Sequence, residues 1–175
     1  PKTGFAYKFD SSLDMRMNTY SSLTAINVIN EYTEKELSDV FFYYGDFKDS
    51  KKIAKQIFNK RNEKEIISTY DLVAALEGLF SEKNKNKYLA RIFQAIRIEV
   101  NDEINSLKKL LNDATKLLKS EGRLVVISYH SLEDRLVKNL INKGSVDGKS
   151  NQDFFGKVTK IYTPINKRVI IPNDE

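Results

Sequence analysis

From about residue 22 to residue 119, apolar side chains recur every three or four positions, the period of helices with one buried face. Ser22 stands where it could cap a first helix through Leu23, Ile26, Val28 and Ile29. Thr33-Glu34-Lys35-Glu36 has the spacing of a capping box, so a second helix is expected through Leu37, Val40, Phe41 and Tyr44, ended by Gly45. A third helix is predicted over about 47–62. A fourth, capped by Ser68 or Thr69, runs through Leu72, Ala75, Leu76 and Leu79. A polar linker at 81–87 precedes the longest periodic stretch, Leu89 to Leu118, which Asn101-Asp102 could break in two.

The period then changes. Glu121-Gly122 reads as a turn, and residues 123–129 as a strand whose nearly unbroken apolar run, Leu124 to Ile127, suits a parallel sheet covered on both faces. Residues 131–142 read as a helix and 143–153 as a polar loop. Val158–Tyr162 could form one more strand, and Val169–Ile171 is a short apolar run. One strand cannot make a sheet, so partner strands are expected before Pro1 and after Glu175. The opening Pro1-Lys2-Thr3-Gly4, without an initiator methionine, fits a piece of a longer chain.

Composition narrows the options. Cysteine is absent and His130 is the lone histidine, which argues against disulfide, thiolate-metal and histidine-metal chemistry; no metal is expected. No apolar run approaches the roughly 20 residues of a membrane span, and no secretory signal opens the chain, so a cytoplasmic protein without membrane contact is expected. The net charge of +5 is compatible with nucleic-acid binding but does not require it.

Charge placement says more. At 100° per residue, Lys48, Lys51, Lys52 and Lys55 share one face of the third helix, opposite Phe47, Ile53, Ala54, Ile57 and Phe58. Residues 20–89 carry eleven basic and eleven acidic side chains, so this excess is local. Such a face either tracks phosphates or is simply solvated. Ser128-Tyr129-His130-Ser131 sits where a strand passes into a helix, the place where open parallel sheets bind ligands; equally, Ser131 and Asp134 have the spacing of a helix cap. Arg97 and Asn101 share a helical face with Phe93 and Gln94. They could meet a base edge or phosphate, or tie the helix to a neighbouring loop. Asp14 and Arg16 could simply pair with each other.

Several strings, in order, resemble one family. Gly4-Phe5-Ala6-Tyr7 and Leu13-Asp14-Met15-Arg16-Met17-Asn18 are similar to "GFSF" and "LDMRMD"; residues 93–101 to "FQALRIxVN"; 122–135 to "GGRLxVISFHSLEDR"; and 167–172 to the segment "KPIxPS". These are strings of the small-subunit ribosomal RNA cytosine-N4 methyltransferases, the MraW family. The departures are local. Tyr129 replaces a phenylalanine, Lys51-Lys52 an arginine pair, and of the family's "HPATR" only Arg91 is kept.

The resemblance implies an α/β fold: a partial Rossmann-like methyltransferase domain, residues 1–19 and 90–175, with an inserted all-helical, substrate-recognising domain at 20–89. It implies S-adenosyl-L-methionine as methyl donor, with the main cofactor contacts upstream of Pro1. The partner would be small-subunit (16S) ribosomal RNA, and a dimer is left open. Asp14, Ser128 and His130 become the catalytic candidates near the cytidine amine. Phe5 and Tyr129 become stacking candidates for an extruded base, with Arg16, Arg97, Asn101 and Arg135 holding loops or RNA, and Lys48, Lys51, Lys52 and Lys55 on phosphates. The competing expectations are a non-catalytic RNA-binding or ribosome-assembly module that keeps a methyltransferase remnant, and a helical protein-interaction module.

Overall fold

The computed structural model describes residues 3–149, 160–166 and 170. The chain divides into two compact units, Pro1–Glu103 and Ile104–Glu175.

The first unit is built of helices α1 (Ala25–Glu31), α2 (Glu34–Tyr43), α3 (Ser50–Glu63), α4 (Thr69–Ala75) and α5 (Lys85–Val100). Three begin with reciprocal caps. Thr33 and Glu36 close α2, Ser68 and Asp71 close α4, and Thr24 with Asn27 closes α1. The first two caps agree with the sequence, Ser68 being chosen over Thr69. At α1 the cap is Thr24 rather than Ser22, because Asn27 supplies the return bond to the Thr24 N–H. The 81–87 segment is shorter as a linker than its polarity suggests: Glu82–Asn84 is a 3₁₀ turn that runs straight into α5.

The apolar faces of these helices meet in one core containing Phe41, Ile53, Ile57, Leu72, Ile92 and Ile96. Two arginines close helix C-termini from outside that core. Arg61 Nη1 donates to the carbonyls of Ile29 (2.8 Å) and Tyr32 (2.6 Å) at the end of α1. Arg91 donates to Gly45 O at 2.7 Å beyond α2 and lies over the Phe47 ring. Both satisfy carbonyls that a helix end leaves without an internal partner. The unit ends where Asn101-Asp102 breaks the long periodic stretch, Asp102 taking a left-handed φ of 47°.

The second unit contains most of α6 (Glu103–Leu117) and α7 (Ser131–Lys143). Its core is small: Leu111, Leu136, Leu140 and Val146, with Ile104, Leu107, Leu124, Val126 and Tyr162 packed around them. Gly144, at φ 73°, ends α7 and donates to Leu140 O, a left-handed close that glycine adopts without steric cost.

The expected strand at 123–129 departs from the sequence reading. The segment is extended but makes no ladder, and among the described residues the only bridge is an isolated antiparallel one, Ser12 with Ser68. Its side chains alternate instead of being covered twice. Leu124 and Val126 pack on the small core, while Val125 (85% exposed), Ile127 (80%) and Tyr129 (92%) stand in solvent. The reason is simple: an extended segment has no internal hydrogen bonds, and among the described residues no neighbouring strand pairs with it. Lys160–Tyr162, the described end of the second expected strand, is not a strand either; Val158 and Thr159 lie outside the described residues, as do Val169 and Ile171. Among the described residues no helix is long and apolar enough to cross a membrane.

Candidate functional site

The Asp14 loop is the most constrained irregular segment in the first unit. Residues 11–13 are zipped to the lead-in of α4: Leu13 N–H donates to Ile67 O and Thr69 N–H to Ser11 O. The carbonyls of Leu13 and Asp14 accept the N–H groups of Ile26 and Ala25, two of the donors that open α1. Asp14 N–H bonds Ser12 O, Met15 N–H bonds Thr3 O at 2.8 Å, and Met15 O accepts from the Asn101 amide at 2.7 Å. Every backbone N–H and C=O of Leu13, Asp14 and Met15 is therefore used. Met15 is fully buried at φ 58°, a conformation uncommon for a side chain of its size, and this closed set of bonds holds it there. Gly4 makes the crossing possible: at φ 80°, a Cβ there would lie 2.5 Å from Ser12 O.

On this base the side chains of Asp14 and Arg16 lock together. Arg16 Nε meets Asp14 Oδ1 at 2.6 Å and Nη2 meets Oδ2 at 2.9 Å, while Nη1 reaches Thr19 O and Ser21 O. The fork-on-carboxylate geometry is the strong form of ion pair. These Arg16 hydrogen bonds hold the Asp14 carboxyl below the usual carboxylate range. Asp14 is thus ionised and oriented, a good acceptor for an N–H and a weak proton carrier.

Arg97 and Asn101, expected on one helical face, do share it, and both are engaged within the unit. Arg97 forms a two-point pair with Glu103 (2.8 and 3.0 Å), and Asn101 holds the backbone on both sides of Arg16. Phe5 is exposed beside the same loop in sequence.

In the second unit the turn into α7 carries Ser128, Tyr129, His130 and, one turn on, the exposed Arg135. The cap of α7 differs from the one its sequence suggests. His130, not Ser131, is the N-cap, its Nδ1 accepting from Glu133 N–H at 3.4 Å. Glu133, not Asp134, completes the cap by taking the Tyr129 N–H at 2.8 Å; Asp134 pairs with Lys138. Its Nε2 is buried without a hydrogen-bond partner, 3.5 Å from the second Glu133 oxygen. The His130 side chain is 11% exposed. Glu133 escaped the sequence reading, although His-x-x-Glu has the three-residue spacing of a cap and could have flagged it.

The α3 lysines lie as the helical wheel predicts. Lys51, Lys52 and Lys55 are exposed on α3, with Lys48 exposed in the turn before it, while Ile53, Ala54 and Ile57 are buried. A cap-and-clamp loop holding an ionised aspartate, a capped strand-to-helix turn and a lysine face are the three sets that the structure lays out.

The model of the MraW methylase family matches residues 1–175, the whole chain. The chain belongs to the MraW methylase family. Among its relatives, the Ribosomal RNA small subunit methyltransferase H of Phocaeicola vulgatus is 46% identical over 98% of this chain and 57% of that protein. The proteins of the same name from Flavobacterium johnsoniae and Karelsulcia muelleri are 45% and 43% identical, each over all of this chain and 58% of their own length. The MraW family implies a Rossmann-like methyltransferase fold, of which the described residues supply helices and one unpaired extended segment. The chain spans a little over half the length of these relatives.

Proposed function

We propose that residues 1–175 are the acceptor-side part of an S-adenosyl-L-methionine-dependent methyltransferase that acts on the N4 amine of a cytidine in small-subunit ribosomal RNA, in the cytoplasm where ribosomes are made. The observation that carries this reading is the family match over the whole chain, at near-half identity to relatives named for methylating that RNA. With this reading goes the division expected from the sequence: a helical insert at 20–89 inside a Rossmann-like domain built from 1–19, 90–175 and sequence beyond them.

S-adenosyl-L-methionine supplies the methyl group when bound. The seven glycines of the chain include no Gly-x-Gly pair, so the residues here do not make the glycine-rich cradle such a nucleoside needs, and its site is assigned outside them. This chain's own residues act on the amine. Cytidine N4 is a poor nucleophile because its lone pair is delocalised into the ring, so the gain comes from orientation. The ionised Asp14 accepts one amine hydrogen and turns the lone pair outward. Because Arg16 holds the Asp14 carboxyl low, the proton released after transfer leaves to solvent rather than staying on Asp14. Ser128 offers a second acceptor and Tyr129 or Phe5 an aromatic face for the extruded base. His130 holds the turn that carries Ser128 and Tyr129, its Nδ1 being spent on the helix cap. Lys48, Lys51, Lys52 and Lys55 contact phosphates, with Arg135 as a further cation.

The test is transfer of labelled methyl to undermethylated small subunits by the longest natural chain containing these residues, with the modified nucleoside identified. N4-methylcytidine is the expected product, formed about 100-fold more slowly by Asp14→Asn. A folded protein that binds the RNA and yields no methylated nucleoside would move the assignment to a non-catalytic RNA-binding module. RNA binding itself should weaken with salt, the slope of log affinity against log salt falling by about 1 per lysine removed from the α3 face.

A further inference from the structure

We infer that Asn101 is a positioning residue for Asp14, acting through the backbone on either side of Arg16. Its Oδ1 accepts the Met17 N–H at 2.7 Å, and its Nδ2 donates to Met15 O at 2.7 Å and to Arg97 O at 2.9 Å. One amide thus grips residues 15 and 17 as a neighbouring strand would, leaving only Arg16 between the two grips. Arg16 in turn holds both oxygens of Asp14. Asn101 is anchored in its own right, as the C-cap of α5, whose last turns are buried in the core at Ile96, Ile98 and Val100. The chain of contacts runs from a rigid helix end, through one side-chain amide, to a left-handed Met15 and then to the direction in which the carboxylate points. An amide is the group that fits, because the two grips need one acceptor and one donor on the same short side chain. Arg97 secures the end of that helix from outside through Glu103, and Asn101 makes its contacts inward, with its polar atoms spent on protein rather than RNA.

The consequence for rate rests on the methyl-transfer reading; the latch itself does not. In the longest natural chain carrying these residues, Asn101→Ala should speed hydrogen exchange of the Met17 amide about tenfold or more, since its acceptor is gone. It should lower kcat by about 10- to 100-fold with KM for RNA unchanged, the signature of a misplaced acceptor group. Asn101→Asp, equal in size, keeps an acceptor for Met17 but sets oxygen against Met15 O and Arg97 O, so it should lose rate as well. On an Asp14→Asn background, Asn101→Ala should cost little more, because the two act in one line. Unchanged Met17 exchange in Asn101→Ala would overturn the latch. So would a raised KM at constant kcat, which would make Asn101 an RNA contact, or a full additive loss on the Asp14→Asn background. If the wild-type protein transfers no methyl group at all, the methyltransferase reading fails while the exchange data still decide the latch.

Discussion

The two units bury their apolar residues very differently. In the first, helices α1 to α5 close on one another, and the fully buried set runs from Leu13 through Phe41 and Leu72 to Ile96. In the second, Leu111, Leu136, Leu140 and Val146 form the core among the described residues, while Val125, Ile127 and Tyr129 stand in water, as do Leu110 and Leu117 of α6. An amphipathic helix can satisfy its backbone alone and needs a partner for one face only. An apolar extended segment needs partners for both edges and both faces. The first unit's helices therefore cover one another, whereas among the described residues of the second unit no layer covers the outer face of 123–129.

The comparison can be broken most sharply in the first core. Phe41→Ala removes a fully buried ring and should cost about 3–5 kcal/mol in chemical unfolding followed by helical circular dichroism. A loss under about 1 kcal/mol would mean that the unit is not packed as described. Ile127→Ala sharpens the contrast. In the 175-residue chain, where Ile127 is exposed, the change should stay within about 0.5 kcal/mol; if the proposed Rossmann-like sheet covers the segment in a chain of the relatives' full length, it should cost about 2–5 kcal/mol there. Equal effects in the two chains would remove the covering layer from the account.

A smaller effect is expected at the cap of α2. Thr33→Ala deletes the hydroxyl that accepts the Glu36 N–H and frees Glu36, for a loss of about 1 kcal/mol, whereas Ser22→Ala should be silent because Thr24 does the capping. Thermal melts of the two variants side by side would show it.

The least effect is a pH dependence, carried in the first unit by three carboxylates. Arg16 holds Asp14 below its ordinary value, as Thr33 holds Glu36 and Lys64 holds Asp71. A carboxyl with a depressed folded value adds stability above its unfolded pKa, about 3.9 for aspartate, and loses it as pH falls through the lower folded value. Melting temperature should therefore drop below about pH 4, and Asp14→Asn should remove part of that drop while leaving the profile above pH 5 unchanged. A profile identical to wild type would show that the Asp14–Arg16 pair contributes nothing to folding.

Much of this was legible along the chain. The three- and four-residue period located α1 to α6, though not the 3₁₀ turn at Glu82–Asn84, and Thr33-x-x-Glu36 and Ser68-x-x-Asp71 marked their own starts, because capping is a local hydrogen-bond exchange that spacing encodes. The break at Asn101-Asp102 and the lysine face of α3 were equally readable. Where two candidates competed locally, the choice lay in side-chain reach: Thr24 prevailed over Ser22 through Asn27, and His130 over Ser131 through Glu133. Membership of the family, too, is carried by strings that any part of the fold would preserve.

What only the tertiary structure decided is what the polar residues of those strings touch. Asp14 and Arg16 stand two apart and could be read as a pair, but nothing in their spacing says that Asn101, more than 80 residues on, holds the backbone around them, or that Thr3 and Ile67 complete the loop. Hydrogen bonds between distant segments depend on how helices pack, and packing is set by the summed fit of many apolar faces rather than by any local pattern. By itself the sequence determined the α-helices, the caps of α2 and α4 and the lysine face of α3. The packing of α5 against the rest of the first unit decided that its last polar side chain would meet the Asp14 loop, because burying Ile96, Ile98 and Val100 leaves Asn101 at the one place where an amide can bridge it.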